Sequence, residues 1–184
     1  ELVWRIPLKL SNGKEFSIKD LFIKDLPYST RGELMFNKSV KLDNTESNSL
    51  FDRLVSTINS YTENVNILEA NKSSQMIRAK IGFPLSPATR ANAYLFYERS
   101  SMTTQVQITI INDSLNVSVY VLEYEFNRTI ESTNKVIEGE KLYPNDLFRK
   151  QNYFSKDKAI KFNNILKNET VGIIDSFLKT ITEY

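Results

Sequence analysis

Two carboxylates, Glu123 and Glu125, flank Tyr124 near the end of the most strand-like stretch of the chain. Alternate residues of a strand share a face, so both acids point the same way, an arrangement in which paired carboxylates can do acid–base work or hold calcium. No third acid or glycine-rich metal loop accompanies them, and a solvated strand end is the simpler account of the pair. The chain has neither histidine nor cysteine. That removes the commonest general base, every zinc–thiolate site, every disulfide, and any nucleophile paired with an imidazole. Nucleophile elbow, phosphate loop and metal loop are likewise missing from the sequence. No catalytic residue, metal ligand or cofactor is assigned, and an enzyme here would rest on carboxylates, Lys, Tyr or Ser alone.

A binding surface can be assigned, and its placement depends on one hairpin. The stretch 104–126 reads TQVQITIINDSLNVSVYVLEYEF. A two-residue turn at Asn112 and Asp113, both tolerant of positive φ, sets Ile111 opposite Ser114. Ile110 then meets Leu115, Ile108 meets Val117 and Val106 meets Val119 on one face. On the other face Thr109 meets Asn116, Gln107 meets Ser118 and Gln105 meets Tyr120. A three-residue turn would mix apolar and polar partners, so the pattern selects the shorter one. Beyond Val121 the apolar parity reverses through Leu122, Tyr124 and Phe126, which predicts either a bulge near residues 120–122 or a strand end covered on both sides.

The flanking elements follow from their own periods. Trp4, Ile6, Leu8 and Leu10 alternate, Asn12-Gly13 marks a turn, and Phe16 and Ile18 follow; a three-residue loop would pair Leu10 with Phe16 and Leu8 with Ile18. A helical turn is read over 18–26. Leu34 to Leu42 alternates as a strand, with Lys38 a misfit on its apolar side. Leu50, Leu54, Ile58 and Tyr61 recur at helical spacing over 46–63. Strands over 65–70 and 75–83 flank the turn formers Asn71 to Ser74, placing Ile77, Ala79, Ile81 and Phe83 inward and Arg78 and Lys80 outward. A further strand is read over 93–98. From 127 to 158 no period survives, yet Leu142, Tyr143, Leu147, Phe148, Tyr153 and Phe154 make the connection too apolar for a disordered tail; they would line a pocket beneath it or, the simpler account, pin it to the sheet. Phe162, Leu166, Ile173, Phe177 and Ile181 close the chain as a long amphipathic helix, in which Gly172 predicts a bend or a close helix–sheet contact.

These elements give an α+β domain over 32–184, preceded by a β-hairpin extension over 1–31. In the order β-α-β-β-β-β-β-α, two helices cover one face of an antiparallel sheet and leave the other open. The segments GELMFNKSV, SLFDRLVSTINSY, ILEANKSSQMIRAKIGF and VQITIINDSLNVSVYVLEY resemble a bacterial domain family of unknown function with a TATA-binding-protein-like fold. The resemblance spans about 32–126. It implies that fold and a secreted or cell-envelope location, and it carries no functional residues across.

On the open face the candidate binding residues are Arg78, Lys80, Gln107, Thr109, Asn116, Ser118 and Tyr120, with Gln105 and Lys41 nearby. Nucleic acid would need a stripe of cations, and the two best strands of this face contribute none. Net charge is only +2, from 24 basic and 22 acidic residues, which gives no long-range field for a polyanion. Six Asn-x-Ser/Thr triplets, at Asn37, Asn71, Asn112, Asn116, Asn127 and Asn168, are the chance yield of an Asn- and Ser-rich chain. No run is long enough to span a membrane. The reading is a non-catalytic binding domain for a protein or glycan, the alternatives being a carboxylate-based enzyme and a polyanion binder; oligomeric state is not legible.

Overall fold

The computed structural model describes residues 8–9, 15–16, 26–29, 33–42, 47–86, 97–111, 113–130, 135–142, 144 and 156–183. In chain order these form β1 (Leu8–Lys9), β2 (Glu15–Phe16), β3 (Met35–Lys41), α1 (Ser47–Tyr61), β4 (Val65–Asn71), β5 (Met76–Pro84), β6 (Tyr97–Ile111), β7 (Ser114–Ile130), β8 (Lys135–Leu142) and α2 (Lys156–Thr182). Strands β3 to β8 make one antiparallel sheet in the order β3-β7-β6-β5-β4. The sixth strand, β8, also pairs with β7. Because β6 occupies one edge of β7 throughout, β3 and β8 share the other, β3 along 114–120 and β8 along 124–130.

The central hairpin has the register that its alternation requires. Ile111 pairs with Ser114 and every pair back to Gln105 and Tyr120 follows, while Asp113 in the turn takes φ 56°. The parity change is also a bulge: Thr104 pairs with Val121 but Thr103 with Glu123, so Leu122 is the extra residue. Past it Tyr124, opposite Met102, faces inward, and both are fully buried. A second bulge in β4 leaves Leu68 between Ile67, opposite Ala79, and Glu69, opposite Arg78.

Alternate rows of the sheet face the helices. Phe36, Val119, Val106, Ala79 and Ile67 form one such row, and Lys38, Val117, Ile108, Ile77 and Ala70 the next. Lys38 is the misfit expected, and its place on an outer strand lets its stem lie on the core while its ammonium reaches water. Against these rows α1 buries Leu50, Phe51, Leu54 and Ile58, and α2 buries Leu166, Ile174, Phe177, Leu178 and Ile181, all in one cluster. Tyr61, Phe83 and Phe177 meet edge to face at 5.1–5.9 Å, joining α1, β5 and α2. The buried Leu26 joins the same core, Tyr28 packs against it and bridges to Leu34, and the Met35 N–H donates to the Pro27 carbonyl at 2.9 Å. Residues 26–29 thus pack with the body.

Several expectations are corrected. In the first hairpin Leu8 pairs with Phe16, two residues away from the expected register. Tyr97 and Glu98 open β6 and do not end a separate strand; 93–96 lie outside the described residues. The connection from 127 is ordered for much of its length, since β7 runs on to Ile130 and β8 follows. Leu142 ends β8, while Tyr143, Leu147, Phe148, Tyr153 and Phe154 lie outside the described residues. Gly172 marks no close helix–sheet contact: it is exposed, and a Cβ there would meet nothing within 4 Å. The helical turn over 18–26 falls outside the described residues but for Leu26, as does the side chain of Phe162.

Candidate functional site

Strand alternation that sends the apolar rows to the helices sends the intervening rows to the opposite face, which neither helix covers. Reading from β3 to β4, the middle row is Asn37, Ser118, Gln107, Arg78 and Glu69. On one side of it lies Ser39, Asn116, Thr109, Met76 and Asn71. On the other lies Met35, Tyr120, Gln105, Lys80 and Asn66. All seven residues singled out from the sequence as a binding surface, Arg78, Lys80, Gln107, Thr109, Asn116, Ser118 and Tyr120, therefore occupy three adjacent rows on one face. Adjacent strands lie about 4.8 Å apart and alternate residues about 6.8 Å apart, so the three rows across β7, β6 and β5 cover about 10 by 14 Å.

Two pairs close part of the margin of this patch. Ser39 Oγ donates to Asn116 Oδ1 at 2.7 Å at one side, and Arg78 Nη1 lies 3.6 Å from Glu69 Oε2 at the other. Farther along, Lys141 of β8 reaches Glu123 Oε1 at 3.3 Å, so one carboxylate of the Glu123/Glu125 pair is already neutralised. Tyr124, between them in sequence, points away into the core, where its hydroxyl and Thr170 Oγ1 are hydrogen-bonded at 2.9 Å. The middle of the patch is different. Gln105, Gln107, Thr109, Ser118 and Tyr120 make no side-chain hydrogen bond among the described residues, although each is half-buried by its neighbours. Lys80, exposed beside Gln105, makes no ion pair among them.

The polar atoms of these side chains stay open to water, so a ligand there exchanges protein–water for protein–ligand hydrogen bonds. Flat geometry and mixed donors and acceptors suit adaptable hydrogen bonding. Acid–base chemistry has no comparable support. The described residues hold no group of three or more carboxylates that could hold a metal, and none of their helices is long and apolar enough to cross a membrane.

Sequence reasoning found the face but not its margins. Glu69 was not foreseen as the partner of Arg78 because the bulge at Leu68 shifts its register. Lys141 was missed because the strand that carries it was.

The architecture is a TATA-binding-protein-like α+β fold. A TBP-like protein from Parabacteroides distasonis superimposes with a TM-score of 0.60 at 12% identity, covering 85% of this chain and 94% of that one. A DUF4468 family protein from Bacteroides ovatus gives 0.59 at 12% identity, covering 90% and 93%. Identity this low establishes the fold and transfers no residue role. No family model matches the chain, and no match is found among curated proteins.

Proposed function

We propose that this chain is a non-catalytic binding domain of the secreted or cell-envelope space, and that it holds a protein or glycan partner on the helix-free face of its sheet. The observation that carries the reading is the contrast within that face. Two pairs, Ser39 with Asn116 and Arg78 with Glu69, close part of its margin, while Gln105, Gln107, Thr109, Ser118, Tyr120 and Lys80 have no side-chain partner among the described residues. A sheet face that serves only as solvent boundary has no need of that contrast, and the absence of imidazole and thiol leaves little for catalysis to work with.

A photo-crosslinking residue at Ser118, introduced into the chain in its own cells, tests the reading. One discrete adduct is expected, lost when Tyr120→Ala is added and missing when the crosslinker replaces Asn59 on the exposed side of α1. Adducts of equal yield at both positions, or none at Ser118, would overturn it.

A further inference from the structure

The charges on the polar face narrow the class of partner. Within its three rows the charged side chains are Arg78, Glu69 and Lys80, of which the first two neutralise each other at the edge. Lys80 is left as the single uncompensated charge, set between Gln105 and Asn66 and two residues from Arg78 along β5. Arg78 is itself not saturated, since its Nε is shielded from water and has no acceptor among the described residues. A complementary surface brings one anionic group to Lys80 and neutral hydrogen-bonding groups elsewhere; a polyanion would place its other charges on amides and hydroxyls.

Spacing narrows it again. Gln105, Gln107 and Thr109 project from β6 every second residue, about 6.8 Å apart, and Tyr120, Ser118 and Asn116 repeat the interval on β7. An extended polypeptide lying along these strands projects the side chains of one of its sides at the same interval, so each meets one cross-strand pair. A glycan would seek several exposed ring faces, and Tyr120 is the one aromatic ring in these rows.

Resting on the binding reading above, we infer that the partner is an extended polypeptide segment whose acidic side chain seats on Lys80. A titration of the isotope-labelled full chain with a short blocked peptide of serines and threonines carrying one central glutamate, followed by NMR, tests this. Shifts are expected at the backbone amides of Gln105, Gln107, Ser118 and Tyr120. Lys80→Met should weaken binding about tenfold with an unchanged melting temperature, while Lys72→Met, at a lysine paired with Asp52 on the β4–β5 turn, should leave it unaltered. Absence of shifts, equal binding of the same peptide with lysine in place of its glutamate, or undiminished binding by Lys80→Met would overturn the inference. Binding of an oligogalacturonate in place of the peptide would also overturn it, yet would leave the face itself standing as a binding surface. The crosslinking experiment judges that broader reading separately.

Discussion

At the scale of single residues, Val119 and Tyr120 are neighbours on β7 that serve opposite faces. Val119 is fully buried beneath the helices, whereas Tyr120 lies half-buried among unpaired amides. Val119→Ala should cost about 1–3 kcal/mol by chemical denaturation, through lost apolar burial and the cavity left behind. Tyr120→Ala should leave the midpoint nearly unchanged and show its effect in partner binding. Tyr124 carries the other residue-level expectation. Burial raises its phenol pKa well above the ordinary value, the hydrogen bond with Thr170 opposes the shift, and the nearby Tyr28 adds to it. Burial pushes Tyr28 up to about 12. In the unfolded chain both phenols ionise near 10. Above that pH the unfolded state binds fewer protons than the folded one, so the contribution of these two phenols to stability is constant below about pH 10 and falls as pH rises beyond it. Tyr124 should contribute a slope of about 1.4 kcal/mol per pH unit there. Tyr124→Phe should flatten the decline in alkaline unfolding curves. At neutral pH it should cost about 1–2 kcal/mol by leaving the Thr170 hydroxyl without that partner, and adding Thr170→Val should restore part of the loss.

At the scale of elements, two glycines make opposite predictions. Gly172 sits in α2 with open space where a Cβ would stand, so Gly172→Ala should stabilise the chain by up to about 1 kcal/mol through reduced backbone entropy in the unfolded state. Gly82 is in β5, where a Cβ would come within 3.0 Å of Asn64 Cβ and its N–H donates to the Asn64 carbonyl at 2.8 Å. Gly82→Ala should destabilise by about 1–3 kcal/mol because the start of β4 must yield. Thermal melts of the two variants check both signs. These elements differ in how far their sequences reveal them. Alternation from Gln105 to Tyr120 admits one turn length, so the pairs that build the polar face are readable in advance. The start of β6 is not, because its inward positions include Ser100 and Thr104, and Thr104 is tolerated in the core by donating to the Ile81 carbonyl at 3.2 Å. β8 is hidden for a different reason. KVIEGEKL is rich in charge and contains glycine, and its extended form comes from the free edge that β7 offers beyond β3, not from a pattern of its own. A residue period reports burial, and this strand was not marked by one.

At the scale of the whole molecule, the polar face can stay open because every described apolar layer is gathered on the other side. Leu26, β3, α1, β5, β6, β7 and α2 contribute to one buried cluster, against which β4 packs Val65 and Ile67. Tyr61, Phe83 and Phe177 tie three of those elements together in mutual edge-to-face contact, so neither helix has a private core with which to survive alone. Loss of α2 would uncover the sheet and the inward side of α1 at once. Unfolding should therefore be a single transition, with helix content followed by far-ultraviolet circular dichroism and tertiary packing followed by aromatic signals changing together. Phe177→Ala should lower stability by about 3–5 kcal/mol, the range for truncating a buried phenylalanine, and it should shift both signals equally. Separate midpoints, with the aromatic signal lost while helix content persists, would mean that α2 docks on an independently stable sheet and α1. In that case the helix-covered side would be the adaptable one, and the polar face would no longer be the natural place for a partner.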